Sequence, residues 1–255
     1  MKTIEINKIN DNVKKWKRVE NKEPNINESC LISSWWQVVW FYVKWDDVPK
    51  RLRDIATLMN NELLSERVPK TLMSRIYYDK QWNEIRLDQF SAIIWAVQPS
   101  PFKKRYVPWL SHLHLVESAK KYIKLKYIFA KECEKLIKKI TPELYEKQKE
   151  LLKSQKIKIW NLFTSWIDNF NWAVNTHIDW WNIKWANNII YFKRKNSEGW
   201  NLHIPEYWWV VDCEDNSLVY YPAYAHIHWV DNIIPTKIWW YRNSLVLYPL
   251  NIKYV

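Results

Sequence analysis

The sequence predicts an α+β protein in which a mainly helical N-terminal half, residues 1–155, feeds an all-β C-terminal half, residues 156–255. Two patterns carry this. Between Val116 and Ser154 apolar residues recur at helical spacing among lysines. After Lys156 short runs of Ile, Val, Tyr and Phe alternate with turn-like segments, which indicates a sandwich or barrel. No linker separates the halves, so they are read as one structural unit.

The elements follow in order. Residues 1–30 are rich in Asn and Lys and read as a loosely held arm. The apolar run Gln37–Val43 has strand length. Asp46-Asp47-Val48-Pro49 looks like a helix entry and leads into Arg51–Leu64. Residues 68–110 read as mixed helix and loop, punctuated by Pro99, Pro101 and Pro108. From Val116 to Ile140, Tyr122, Ile123, Tyr127, Ile128, Leu136, Ile137 and Ile140 keep the helical period. Thr141-Pro142-Glu143 offers an N-cap, a proline at the first helical position and an early acid, and starts a second helix to Ser154. Strand-like runs then fall at Ile189–Phe192, Asn201–Pro205, Val210–Cys213, Ser217–Tyr221 and Ser244–Tyr248.

The composition is inverted at two residue types. The chain has 20 tryptophans and one glycine, where average usage would give roughly 18 glycines at this length. Tryptophans occur in pairs (Trp35-Trp36, Trp180-Trp181, Trp208-Trp209, Trp239-Trp240) and in turn contexts such as Asn182-Ile183-Lys184-Trp185-Ala186-Asn187. A turn that needs positive φ accepts glycine at no steric cost, whereas an indole there is strained. The pattern implies that most of these positions are glycine in the native protein. UGA would encode glycine in the native host and be read as tryptophan in this string. The alternative is a protein that is truly rich in tryptophan.

At 255 residues the chain can bury a full core. It has no run of 18 apolar residues and its start lacks the apolar stretch of a signal peptide, so a cytoplasmic protein with no membrane partner is expected, in a bacterial or phage-infected cell and acting as a monomer. Cys30, Cys133 and Cys213 are odd in number and widely spread, which argues against a disulfide framework or a cysteine zinc site. The net charge of +12, with clusters at 14–18, 103–105 and 193–195, suits a polyanion such as nucleic acid. A lysine-rich genome would produce the same excess.

The β half contains His177-Ile178-Asp179, a distant His228 and then Arg242. Two histidines and one carboxylate on one face of an octahedron form the facial triad of non-haem Fe(II) oxygenases. In a strand, residues 177 and 179 point the same way and can supply two adjacent ligands, the third coming from a strand nearby in space. An HxD alone is weak evidence, but HxD, a distant His and an Arg soon after it are considerably stronger. Arg242 would grip the far carboxylate of 2-oxoglutarate bidentately while the other end chelates iron. Dioxygen would take the remaining position. Alone, Arg242 is as readily a strand-end surface charge.

His226 competes with His228 for the third position. His228 is preferred because residue 229 would be a small glycine under the recoding. His112 and His114 lack partner acids and read as ordinary surface or core histidines, as does His203. No GxSxG or phosphate-cradling loop appears even with glycines restored, so a serine hydrolase or a kinase finds no support.

With glycines restored, residues 177–248 resemble the TET/JBP family of 2-oxoglutarate oxygenases, phage and viral members most of all. The resemblance rests on His177-Ile178-Asp179-Trp180-Trp181-Asn182, Asn201–Tyr207, His228-Trp229-Val230 and Tyr241–Tyr248, in the family's order HxDxxN then RxSLVxY. It implies a double-stranded β-helix (jelly-roll) core and hydroxylation of the methyl of 5-methylcytosine or another 5-methylpyrimidine in DNA. It further implies Fe(II) at His177, Asp179 and His228, 2-oxoglutarate at Arg242, a base-reading role for Asn182 and base stacking for Tyr248. A methyl inside a duplex is poorly reached, so the base would be flipped out, stacked and read on its polar edge. Leu250 departs from relatives with a second base-reading histidine there, which leaves cytosine against thymine open. Taken literally, Trp180, Trp181 and Trp229 would crowd the iron cavity. Two other readings stand beside this one. The first keeps the cofactors but hydroxylates a protein or small molecule, and the second is a non-catalytic DNA-binding protein of the same fold.

Overall fold

Alternation along the strands decides the architecture. In the strand Ser165–Phe170, Trp166 is buried in a core shared with helices while Ile167 and Asn169 line a cavity on the other face. In Tyr241–Tyr248, Leu245 and Leu247 enter the helical core, and Arg242, Ser244, Val246 and Tyr248 line the cavity. The period of two thus sorts one sheet into a helix-facing and a cavity-facing side.

The computed structural model describes residues 1–6, 23–35, 37–78, 84–97, 109–171 and 174–252. Its N-terminal elements are β1 (Lys2–Glu5), β2 (Cys30–Ser34), β3 (Gln37–Val43), α1 (Lys50–Leu64), β4 (Thr71–Tyr78), β5 (Glu84–Val97) and β6 (Trp109–Leu110). Two helices follow, α2 (Lys120–Ile140) and α3 (Pro142–Leu151). Then come β7 (Ser165–Phe170), β8 (Val174–His177), β9 (Asn188–Lys195), β10 (Ser197–Gly199), β11 (Leu202–Ile204) and β12 (Trp209–Val211). Last are β13 (Leu218–Tyr221), β14 (His228–Val230), β15 (Ile233–Pro235) and β16 (Tyr241–Tyr248).

The large sheet has ten strands in the order β1-β2-β3-β13-β9-β16-β7-β5-β4, with β6 joined to β5. Its pairs are antiparallel except β1 with β2. A four-stranded sheet, β12-β11-β14-β8, lies across the cavity, and β10 pairs with β15. In α1, Leu52, Ile55, Ala56, Met59 and Leu63 form the buried stripe, and in α2 Tyr122, Phe129, Ala130, Cys133 and Ile137 do so. These stripes close one core with Phe41, Val43, Trp166, Tyr191, Tyr220 and Leu247. No helix is long and apolar enough to cross a membrane among the described residues.

The structure corrects the expected helical N-terminal half. Six strands precede residue 155, and the segment read as mixed helix and loop holds β4, β5 and β6. The run Ser91–Val97 buries residues on both faces, and an apolar run of that kind cannot be told from a buried helix by period alone. Pro99, Pro101 and Pro108 lie outside the described residues, as do the basic clusters 14–18 and 103–105. The described ends of the arm are anchored, by β1 on β2 and by Ile26, which bridges Val211, while residues 7–22 lie outside the described residues. Helix α3 stops at Leu151, short of Ser154, and Thr141 makes no side-chain cap, its hydroxyl donating back to the Ile137 carbonyl (3.2 Å). The large sheet draws strands from both sides of residue 155.

Ten described residues other than glycine have positive φ. Seven are tryptophan (35, 95, 160, 185, 200, 208 and 239) and three are asparagine (171, 196 and 216). Asparagine is among the few side chains that tolerate this region, whereas tryptophan is not.

Candidate active site

His177 closes β8, and the register of the small sheet sets His228, the first residue of β14, directly opposite it. Asp179 follows two residues after His177, its backbone N–H donating to the Ala223 carbonyl (3.2 Å). One ligand atom from each of His177, Asp179 and His228 lies within 4.8 Å of the others. His177 Nε2 is 3.5 Å from Asp179 Oδ1, and the two imidazole centroids are 4.2 Å apart at 54°.

Each ligand is oriented from behind. His228 Nδ1–H donates to the His226 carbonyl (2.9 Å), leaving Nε2 as the coordinating atom. Asn188 donates to Asp179 Oδ2 (2.9 Å), and Asn182 donates to the same oxygen (3.3 Å) and to Asn188 Oδ1 (2.9 Å). Burial, with His177 adding to it, pushes His228 down to about 4, so the ring is neutral at ordinary pH as ligation requires. Two imidazoles and a carboxylate fit a ferrous ion.

Arg242 enters the same cavity from β16 and is 2% exposed. Its Nε has no partner, the Cys213 thiol lies in hydrogen-bonding contact with it, and among the described residues no carboxylate pairs with it. Burial lowers its pKa. A buried cation without a counterion is costly, and an anion entering the cavity removes that cost. The guanidinium carbon is 5.5 Å from the Phe192 ring centroid and 2.5 Å from that of Trp200. The second distance lies inside the roughly 3.5–4 Å optimum for non-bonded carbons. Trp200 is 1% exposed, at positive φ, and its indole N–H is unpaired.

The cavity has a volume of about 860 Å³ and gathers His177, Asp179, Asn182, His228, Arg242 and Tyr248 on its walls. Tyr248 accepts a hydrogen bond from Ser165 Oγ (3.0 Å), and burial raises its phenol to about 12. Asn182 is buried and faces inward onto Asp179 and Asn188, so the structure shows it as a brace of the aspartate. Leu250 also lines the cavity and bridges Asn182. Of the three tryptophans expected to crowd the cavity, Trp180 and Trp181 line it and Trp229 does not. Trp180 and Trp181 are each 66% exposed, Trp229 stacks on His203 (4.7 Å, 12°), and Trp200 is the crowding indole.

Three of the remaining histidines are engaged. His226 donates to Glu206 (2.6 Å), His203 binds Asp231 (2.6 Å), and His114 Nε2 accepts the Trp95 N–H (3.1 Å), while His112 opens the same short turn. Sequence reasoning missed Asn188, Ser165 and Glu206. Asn188 left one signal, a polar residue opening an apolar strand soon after Asn182, whereas Ser165 and Glu206 left none.

No family model matches the chain, and no curated protein does. Among solved structures, NgTET1 in complex with 5mC DNA is similar at a TM-score of 0.57 and 13% identity, covering 90% of this chain and 79% of that one. An oxidoreductase of the 2OG-Fe(II) oxygenase family from Burkholderia pseudomallei is similar at 0.50 and 12%, covering 85% and 87%. At these identities the likeness is one of fold, and that fold is the one 2OG-Fe(II) oxygenases use.

Proposed function

We propose that the chain is an Fe(II)- and 2-oxoglutarate-dependent dioxygenase that hydroxylates the methyl of 5-methylcytosine, or another 5-methylpyrimidine, in DNA. One observation carries the reading: three converging ligand atoms and an uncompensated buried guanidinium share one cavity. His177, Asp179 and His228 would hold the iron. Bound there, it supplies dioxygen activation coupled to decarboxylation of 2-oxoglutarate to succinate, with one oxygen atom passing to a substrate C–H bond. Arg242 binds the far carboxylate of the co-substrate as a planar fork and aims its keto-acid end at the triad. Ile167, Ile190 and Val246 line the cavity with apolar surface and exclude water. Asn188 and Asn182 keep one aspartate oxygen occupied so that the other faces the metal.

The DNA assignment rests on the family resemblance, on the likeness to a fold solved with 5mC DNA, and on the positive charge. Tyr248 supplies an aromatic wall for a flipped base. The inward turn of Asn182 favours a second reading, in which the same cofactors serve a protein side chain or small molecule. Incubation with Fe(II), 2-oxoglutarate and methylated DNA separates the two. Succinate with an equal amount of 5-hydroxymethylcytosine supports the first, and succinate without modified base supports the second. No succinate with Fe(II) and 2-oxoglutarate, in the presence or absence of the DNA, removes the oxygenase.

We also infer that glycine stands at most tryptophan positions in the native protein. Seven tryptophans in a region that glycine ordinarily fills support this, as do the unpaired buried indole N–H groups of Trp40, Trp200 and Trp229. The intact mass of protein from the native host decides it, since a mass matching 20 indoles ends the idea.

A further inference from the structure

We infer that Glu206 is a positioning residue for the metal ligand His228, acting through the backbone of residues 226–227. This rests on the metal reading above. The small sheet by itself holds His228 loosely. Strand β14 has three residues, and its pairing with β8 shifts register between His228 and Val230. On its other side β11 pairs with Trp229 and Val230 but not with His228, and an irregular strand of that kind fixes side-chain direction poorly unless the segment before it is tethered.

Glu206 supplies the tether from the one-turn helix Pro205–Tyr207, twenty residues away in sequence. His226 Nδ1–H donates to Glu206 Oε2 (2.6 Å), and the Ile227 N–H points at Oε1 (3.5 Å). The Tyr207 ring meets His226 edge-on at 5.2 Å between centroids. The two paired side chains are about one-seventh exposed (14% and 15%), so solvent competes weakly for the bond. The clamped carbonyl of His226 is the one that accepts His228 Nδ1–H at 2.9 Å. The chain Glu206, His226 main chain, His228 therefore fixes which ring nitrogen carries the proton and where Nε2 points. Groups that orient a ligating histidine in this way typically change metal affinity about 10–100-fold when removed.

The test uses Co(II), a spectroscopically visible stand-in for Fe(II), on the full-length chain. Glu206→Ala is expected to weaken Co(II) binding at least tenfold and to alter the d–d spectrum while the metal-free Tm holds. Glu206→Gln, which keeps an acceptor, should recover part of the loss. His226→Phe breaks the same bond from the other end and keeps a ring beside Tyr207, so it carries the test if Glu206→Ala fails to fold. A folded Glu206→Ala or His226→Phe variant that binds Co(II) within twofold of the parent overturns the inference and leaves the metal site standing. A parent that does not bind Co(II), or whose binding is indifferent to His228→Ala, overturns both.

Discussion

Backbone conformation at single residues separates the tryptophans into testable classes. Trp35, Trp185 and Trp239 combine positive φ with 68–88% exposure, so they bury little apolar area and carry the left-handed strain alone. Trp109 is 65% exposed in a strand without positive φ. Replacing Trp185 or Trp239 by glycine should raise stability by about 1 kcal/mol each, because the αL region costs a side chain roughly that much. Trp109→Gly should lower it through backbone entropy. Urea denaturation of the three variants checks this, and an equal response at all three positions rejects the strain argument. A second residue-scale expectation concerns Asn188, which donates to Asp179 and accepts from Asn182. Asn188→Ala should loosen the carboxylate and weaken Co(II) binding about tenfold, read by titration at constant pH.

The elements were legible where charge or turn residues mark them. Helix α2 and the runs inside β9, β13 and β16 could be read because charged or polar residues mark their outer side or their ends. Strand β5 was missed although its first half, Glu84-Ile85-Arg86-Leu87-Asp88, alternates, because the apolar run Ala92–Val97 that follows cannot be told from a buried helix by period alone. The triad was legible for a related reason. Ligand chemistry restricts residue type and HxD fixes two of three positions, whereas braces such as Asn188 and Ser165 can be any polar residue that reaches.

The join between α2 and the large sheet yields its own prediction. Lys126 on α2 is 3% exposed against Asp168 on β7, and Asp168 also receives Tyr122 and Trp166 as donors. Asp168→Ala strands a buried ammonium and should cost about 3–5 kcal/mol. Lys126→Met leaves the aspartate two donors and should cost less. Burial pushes the Lys126 ammonium down to about 7 against the pull of Asp168. The unfolded chain keeps this proton to about pH 10, so between those values the unfolded state binds more protons and stability rises with pH. Below about 7 the contribution is at its minimum. From pH 7 to 9.5 the parent should gain about 2–3 kcal/mol relative to Lys126→Met. Parallel pH profiles for the two proteins would falsify the assignment.

At the scale of the whole molecule, the lysine row of α2 and the cavity lie on different faces. Trp166 and Leu245 turn toward α2, while Ile167 and Ser244 turn toward the cavity, so the large sheet stands between them. Lys120, Lys124, Lys131, Lys135, Lys138 and Lys139 are exposed along α2, on the far side from the triad. Screening in physiological salt extends about 8 Å, and a helix layer on a sheet is about that thick or thicker. DNA that delivers a base to the cavity therefore gains little from these lysines. Reversing Lys124 and Lys138 together to Glu should leave affinity for methylated DNA within about twofold at 150 mM salt, because few phosphates sit within a screening length of either. A loss of tenfold or more, with a shallower salt slope, would place the DNA on the helical face. The cavity would then serve a substrate other than a base of that DNA, and the second reading, with its protein or small-molecule substrate, would take precedence.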